Sequence, residues 1–361
     1  MSTIRAIAQA ARAASHDLAT LSGPARSALL HDLAAALRDP AVIAPLLAAN
    51  RDDLAAAATA HARGELDTAR YQRLGLDPNK LAGVAHGLEQ LAHAPELLGR
   101  ADLRRELDDG LVLERVPCPL GVLGVVFEAR PDAVPQIAGL ALKSGNAAVL
   151  KGGREALHSN RALVAVLHRV LAAHHLDPAG IALLEQREEL DELLAQHDLL
   201  DLIIARGGKA FVHHVQAHTT IPVMGHAEGL CHLYLHRAAD PAMAAAIAVD
   251  AKCSYPAACN AIETLLWDAD ATAALDATIT ALRSAGVELR ACPATRARHP
   301  DLTPATAADW HTEHGARILN VRQVADITEA LAHIAAHGSR HTEAIVTDDT
   351  AAAEHFLARI D

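Results

Sequence analysis

From residue 121 to residue 204 the chain alternates short apolar runs with longer helical stretches, and few folds accept that pattern. Gly121 to Phe127, Ala147 to Leu150, Ile181 to Leu184 and Leu200 to Ile204 are near-continuous apolar runs of strand length. The stretches 133–143, 159–174 and 187–196 between them carry helical periodicity. Strands that are apolar on both faces must be covered on both faces, which predicts a parallel, doubly wound sheet with helices on either side. A second series starts near Leu230. Its strands are Cys231 to Leu235, Ala261 to Trp267, Val287 to Ala291 and Ile318 to Val321, with helices at 241–250, 271–284 and 324–336. The expected fold class is therefore α/β, with two parallel-sheet domains meeting near residue 229 and Gly225 and Gly229 as hinge points.

At 361 residues the chain is also too long for one small core. Residues 4–100 read as helices. Leu29, Leu30, Leu33 and Leu37 share one face, and Gly23-Pro24 and Asp39-Pro40 punctuate the ends. Residues 103–117 read as a hairpin, because Asp109-Gly110 is a turn signal between two alternating runs.

Composition excludes several functions. A formal net charge of -12 argues against a general nucleic-acid surface, so a phosphate ligand must be handled locally. No apolar stretch approaches the length of a membrane span. The N-terminal MSTIRAIAQAARAASHDLATL lacks the continuous apolar core of a signal peptide and reads as a helix of the fold. The five cysteines (Cys118, Cys231, Cys253, Cys259, Cys292) match no zinc spacing, and Cys253 and Cys259 are too far apart for a CxxC pair. Free thiols in a reducing cytoplasm fit that usage. The 23 histidines are scattered, so no metal site is expected.

Chemistry concentrates in a few blocks. Cys259 lies in AKCSYPAACNAIETLL (251–266), on a short loop just ahead of a strand, where a thiolate would be presented rather than packed away. The competing reading is a small buried cysteine. The strand ending at Leu150 runs into Lys151, Gly152 and Gly153 at the carboxyl edge of the sheet, where open α/β folds bind ligands. Glycines admit close backbone approach, and a lysine can meet ribose hydroxyls or a 2'-phosphate; the competing reading is an ordinary turn. In LDLIIARGGKAF (200–211), Arg206, Gly207 and Gly208 lead into a helix whose N-terminus suits a pyrophosphate. Only five lysines stand against 27 arginines, and Lys143, Lys151, Lys209 and Lys252 all fall inside such blocks.

The Cys259 run closely resembles the nucleophile segment of gamma-glutamyl phosphate reductases, a branch of the aldehyde dehydrogenase superfamily. The same resemblance recurs, in order, in PLGVLGVVFEARPDAVPQIAGLALKSGNAAVLKGG (119–153), the 200–211 block, IPVMGHAEGLCHLYLH (221–236), DWHTEHGARILNVRQV (309–324) and HGSRHTEAIVTDD (337–349). Departures are mild. Ala205 stands where many relatives carry proline, and the Tyr-Pro-Ala-Ala-Cys-Asn form resembles the reductase half of plant-type bifunctional proline enzymes. The family pattern continues with a glycine-rich C-terminal segment beyond the point matched by Asp361, so the chain is expected to lack that segment.

The resemblance implies an aldehyde-dehydrogenase-like fold, two doubly wound parallel-sheet domains plus an assembly hairpin. Residues 1–228 would form the cofactor-binding domain and 229–345 the catalytic domain, with 346–361 starting back toward the first. It implies NADPH-dependent reduction of L-glutamate 5-phosphate to L-glutamate 5-semialdehyde in proline biosynthesis, with NADPH/NADP as cofactor. Cys259 would be the nucleophile and Asn260 an oxyanion donor. Lys151, Gly152, Gly153, Arg206, Gly207 and Gly208 would hold the cofactor. Arg130 and Lys252 would serve the substrate, Lys252 also favouring the thiolate; for Arg130, an ion pair with Glu128 or Asp132 competes with that role. His226 and Glu228 fall near the site without an assigned role. A cytoplasmic homo-oligomer is implied, with glutamate 5-kinase as a partner and neither nucleic acid nor membrane. The sequence leaves open NADPH against NADH, another acylating aldehyde dehydrogenase, a truncated non-catalytic paralogue or partner subunit that binds nucleotide, and a purely structural α/β protein.

Overall fold

The computed structural model describes residues 3–66, 68–226 and 228–361, without the side chains of Ala69, Lys209 and His226. The chain divides into two compact units, Met1–Ala227 and Glu228–Asp361.

The first unit begins with helices α1 (Ile4–Thr20), α2 (Gly23–Ala36), α3 (Pro40–Ala62), α4 (Thr68–Leu74) and α5 (Pro78–His93). Local chemistry sets their starts. Ser22, Asp39 and Asp77 cap α2, α3 and α5 through their side chains, each followed by a proline in the first turn. Leu29, Leu30, Leu33 and Leu37 are all buried, as their spacing predicts. Strands β1 (Leu103–Asp108) and β2 (Leu111–Arg115) form the expected antiparallel hairpin, and Gly110 takes the left-handed conformation (φ 72°) its turn requires. Every residue of both strands is exposed.

The first sheet follows: β3 (Val122–Phe127), α6 (Ala133–Lys143), β4 (Ala147–Lys151), α7 (Leu157–Ala173), β5 (Ile181–Leu184), α8 (Glu189–Leu194), β6 (Leu202–Arg206), α9 (Lys209–Ala217) and β7 (Val223–His226). The strands are parallel in the order β5-β4-β3-β6-β7. β3 and β4 are buried along their whole length, which is why they read as unbroken apolar runs. Gly225 lies inside β7, paired with Ala205, so it is a strand residue and not a hinge.

The second unit holds β8 (Cys231–Leu235), α10 (Pro241–Cys253), β9 (Ile262–Asp268), α11 (Thr272–Ser284), β10 (Glu288–Ala291), α12 (Pro293–Arg298), β11 (Thr303–Pro304), β12 (Ile318–Val324), α13 (Ile327–His337), β13 (Glu343–Val346) and α14 (Thr350–Arg359). Its parallel sheet has the order β11-β10-β12-β9-β8-β13. β13 pairs with β8, and Phe356 of α14 is fully buried, stacked on Tyr234 at 6.3 Å. Burying that ring holds the last helix on the second unit.

One buried group there makes stability pH-dependent. His333 on α13 lies edge-on to His232 (5.4 Å) and Trp310 (5.7 Å), with His337 at 4.4 Å. His232 pairs with Glu343 at 3.0 Å. Burial drives the His333 pKa down to about 3, with further pressure from His232, His337, Arg322 and His311. The folded-state pKa is depressed, so the unfolded chain takes up a proton near its ordinary value while the folded chain does not. The stability that neutral His333 contributes is therefore full above about pH 6.5 and is lost as pH falls toward 3. Denaturant unfolding at pH 5 is expected to show the second unit weaker by ~2 kcal/mol than at pH 7.5. His333→Leu is expected to flatten that slope, and an unchanged slope would reject His333 as its source.

Candidate active site: a nucleotide-sized cavity and the Cys259 loop

The first unit contains a cavity of about 770 Å³ at the carboxyl ends of β3 and β4, bordered by α8 and α9. That size and position suit a bound cofactor. Lys151, Gly152 and Gly153 line it, with Arg70, Arg154 and Arg187 set among the carboxylates of Glu128, Glu155, Glu188 and Asp191, and Phe211 gives an aromatic face. The Lys151 side chain is nearly buried and donates from Nζ to the Gly152 carbonyl at 2.7 Å. Desolvation lowers its pKa, opposed by the nearby Glu189 and Glu155 carboxylates. The two glycines are small for a reason internal to the protein. A Cβ at Gly152 would lie 2.3 Å from Asn160 Nδ2, and one at Gly153 would lie 2.0 Å from Glu155 Oε1.

Glu155 has a second task. Its Oε1 accepts the Ala129 N–H at 2.7 Å. Ala129 is buried and held at φ 43°, an unfavourable backbone for a non-glycine residue. That strained turn follows β3 and carries Arg130. The carboxylates considered as partners of Arg130 are engaged elsewhere: Glu128 with Arg70 at 3.1 Å and Asp132 with Lys80 at 3.4 Å.

Arg206, Gly207 and Gly208 stand where β6 passes into α9, but none of the three lines the cavity; Ala210, Phe211 and His214 of α9 do. Gly207 is tight, since a Cβ there would lie 2.7 Å from the Phe211 ring. The α9 helix and α8 are joined by a His214–Asp191 contact of 3.2 Å, both residues at the cavity wall.

The second unit carries the thiol. Cys259 and Asn260 are both exposed, on the loop between α10 and β9. Two successive turns shape that loop: Ala258 N–H donates to the Tyr255 carbonyl at 2.9 Å and Ala261 N–H to the Ala258 carbonyl at 3.0 Å. The loop is at the amino edge of the sheet, because Cys259 precedes β9. The Cys231 thiol, buried just inside β8, donates to the Cys259 carbonyl at 3.3 Å and lies 3.7 Å from His341 Nδ1. Burial, aided by the Glu343 charge, pushes the Cys231 thiol up to about 12, so it stays protonated as a donor. Gly229 is pressed against the same carbonyl, which a Cβ would approach to 1.7 Å. Its small size is thus a packing requirement of the Cys259 loop.

Lys252 is placed differently from the expectation that it serves the substrate. It is fully buried, and Nζ donates to Glu263 Oε2 at 2.8 Å. A lysine enclosed in this way has no ammonium to offer a substrate. Lys143 also faces inward, toward Ser27 and the Ala92 carbonyl, while the side chains of Lys209 and His226 fall outside the described residues. Among the described residues no cluster of three or more His, Cys, Asp or Glu side chains is arranged to hold a metal, and no helix is long and apolar enough to cross a membrane.

No protein-family model matches the chain. Individual proteins do. The chain is 51% identical over 355 residues to a gamma-glutamyl phosphate reductase of Synechococcus sp. (strain JA-2-3B'a(2-13)), covering 98% of this chain and 78% of that protein. It is likewise 51% identical over 356 residues to the gamma-glutamyl phosphate reductase of Cyanothece sp. (strain PCC 7425), covering 98% and 81%. Among solved structures, the gamma-glutamyl phosphate reductase of Thermotoga maritima superposes with a TM-score of 0.91 at 30% identity, covering 99% of this chain and 86% of that one. An acetylating aldehyde dehydrogenase of Geobacillus thermoglucosidasius superposes at 0.69 with 16% identity, covering 98% and 83%, which establishes the shared fold alone.

Proposed function

The chain belongs to the gamma-glutamyl phosphate reductase family, and on that premise we propose that it reduces L-glutamate 5-phosphate to L-glutamate 5-semialdehyde with release of phosphate, as a step of proline biosynthesis. The observation that carries the reading is the exposed Cys259 on its two-turn loop, in a chain half identical to such reductases across nearly its whole length.

The chemistry follows from the thiol. Cys259 thiolate adds to the carbonyl carbon of the acyl phosphate, the C–O bond to phosphate breaks, and phosphate leaves with that electron pair. A Cys259 thioester remains. The oxygen that gains charge as the thiolate adds needs donors, for which the Cys259 N–H and the Asn260 side chain are the candidates. A reduced nicotinamide dinucleotide, which the cavity fits in size and position, would supply the hydride that brings the thioester carbon to the aldehyde level. Collapse of the resulting hemithioacetal frees the aldehyde and returns the thiolate.

Lys151 to Gly153 would hold the dinucleotide, and Arg206 to Gly208, outside the cavity wall, would bear on it only by placing the start of α9. Arg154 and Arg187, both in the cavity wall, favour NADPH over NADH because a 2'-phosphate needs a cationic partner. Arg130, on its strained turn, would bind the doubly charged acyl phosphate. The exposed apolar residues of the hairpin, Leu103, Leu107, Leu111 and Leu113, favour a homo-oligomer that covers them.

The test is the reverse reaction. Glutamate 5-semialdehyde, NADP and phosphate are mixed with the purified chain, and NADPH is followed by absorbance. Phosphate-dependent turnover is expected, with weaker turnover on NAD. Turnover that ignores phosphate but requires coenzyme A would instead indicate another acylating aldehyde dehydrogenase.

A further inference from the structure

Lys252 and Glu263 form the most deeply enclosed ion pair that touches the nucleophile block, and no step above uses it. Lys252 sits in the last turn of α10, just before the loop, and Glu263 is the second residue of β9, just after it. Their side chains are 0% and 1% exposed, and Nζ meets Oε2 at 2.8 Å. The pair therefore joins the two stems of the loop that carries Cys259. The other Glu263 oxygen accepts the Gly315 N–H at 3.2 Å. Gly315 closes the DWHTEHG segment, which is fixed in turn. His314 Nε2 meets Asn320 Oδ1 at 3.3 Å, Asn320 Nδ2 donates to the Asp309 carbonyl at 2.7 Å, and Asp309 pairs with Arg290 at 2.7 Å. The loop apex is held separately, by Gly229 and the Cys231 thiol against the Cys259 carbonyl.

Such a pair is a poor source of stability. Removing two charges from water costs about as much as their attraction returns, and apolar replacements of similar volume are often tolerated. Burial raises the Glu263 carboxyl to about 7 even with Lys252 alongside, which shows how strongly the site resists charge. What the pair does provide is direction: one ammonium and one carboxylate meet in one geometry, and both stems of the loop follow.

We propose that Lys252 and Glu263 are positioning residues that fix the stems of the nucleophile loop, so that Cys259 is presented in a single reactive geometry. Lys252 then acts through the loop and touches neither substrate nor cofactor. The proposal rests on the reading of Cys259 as nucleophile, and the test separates the two.

Lys252→Met alone leaves a buried carboxylate without its cation and risks failure to fold. The informative chain is the double variant Lys252→Met/Glu263→Leu, which removes both charges and keeps the volume. Two quantities are measured: kcat and KM in the phosphate-dependent assay, and the rate of Cys259 alkylation by iodoacetamide, localised by tandem mass spectrometry because Cys253 is close in sequence. The double variant is expected to fold with unchanged KM for NADP, to lose kcat by roughly 10²-fold through misplacement of the reacting atom, and to alkylate at a different rate. The exchanged pair, Lys252→Glu/Glu263→Lys, is expected to recover part of kcat, which packing alone would not produce. A double variant with parental kcat and parental alkylation overturns the proposal even if Cys259→Ala is inactive. A Cys259→Ala chain with full turnover overturns the nucleophile reading instead. Because alkylation is read on the thiol itself, it tests the positioning role in either case.

Discussion

A Cys259→Ala chain is expected to lose phosphate-dependent turnover by a factor on the order of 10⁴ or more, since the proposed acyl intermediate forms on that sulfur. The two thiols nearest to it in the fold and the sequence do not substitute. Cys231 is buried, protonated and already engaged with the Cys259 carbonyl, and Cys253 belongs to the last turn of α10 rather than to the loop. The loss is expected in kcat, with nucleotide affinity nearly unchanged, because the candidate cofactor residues belong to the first unit and Cys259 to the second. Stability should move by no more than about 0.5 kcal/mol, as the side chain is exposed. Stopped-flow phosphate release gives the sharper test. The parental chain should show a first-turnover burst on acyl phosphate if hydride transfer is the slower step, and Cys259→Ala should show none. Parental turnover by the variant would sink the thioester mechanism.

The parallel-sheet architecture was legible because β3, β4, β8 and β9 are buried along their whole length and so appear as apolar runs. β7 and β13 escaped for the converse reason. Each has four residues, and β13 is mostly half-buried beside polar neighbours, so nothing in its texture sets it apart from a loop. The carboxyl-edge rule for open α/β sheets pointed to the cavity beyond Lys151, but it has no bearing on Cys259, which stands at an amino edge. Motif resemblance, not sheet geometry, singled out that thiol.

Side-chain direction was the least legible property. Four of the five lysines fall inside the blocks that carry chemistry, but that placement does not say where each ammonium points. Lys151 does line the cavity, whereas Lys252 turns inward to Glu263 and Lys143 toward Ser27 and the Ala92 carbonyl. A lysine on the last turn of a helix has the same sequence context whether its ammonium faces a site or a carboxylate on the neighbouring strand. The glycines show the same ambiguity. Gly152 and Gly153 were read as room for a nucleotide, yet Asn160 and Glu155 already occupy the space a Cβ would need. The strain at Ala129 has no sequence signal at all, because alanine carries no preference for positive φ.

Gly229→Ala is expected to cut turnover strongly, though less than removing the thiol, and by a different route. The added Cβ would lie 1.7 Å from the Cys259 carbonyl oxygen, 2.6 Å from its carbon and 2.9 Å from its Cα. All three are backbone atoms, so no side-chain rotation relieves the clash, and the loop must move by more than 1 Å relative to β8 to reach van der Waals contact. Displacement on that scale costs a reaction roughly 10²-fold or more, because the thiolate no longer meets the carbonyl carbon on line. The same shift breaks the Cys231 contact and overpacks the base of the loop, which adds a stability loss of about 1–3 kcal/mol. Nucleotide binding should survive, since the cavity lies wholly within the first unit. Gly87→Ala is the matched control: its Cβ meets nothing within 4 Å, on helix α5, and turnover should be parental. Calorimetry, nucleotide titration and kcat on the two variants together separate loop displacement from general unfolding. A Gly229→Ala chain with parental kcat would mean that the Cys259 carbonyl can relax without moving the thiol, and that Gly229 is small for packing alone.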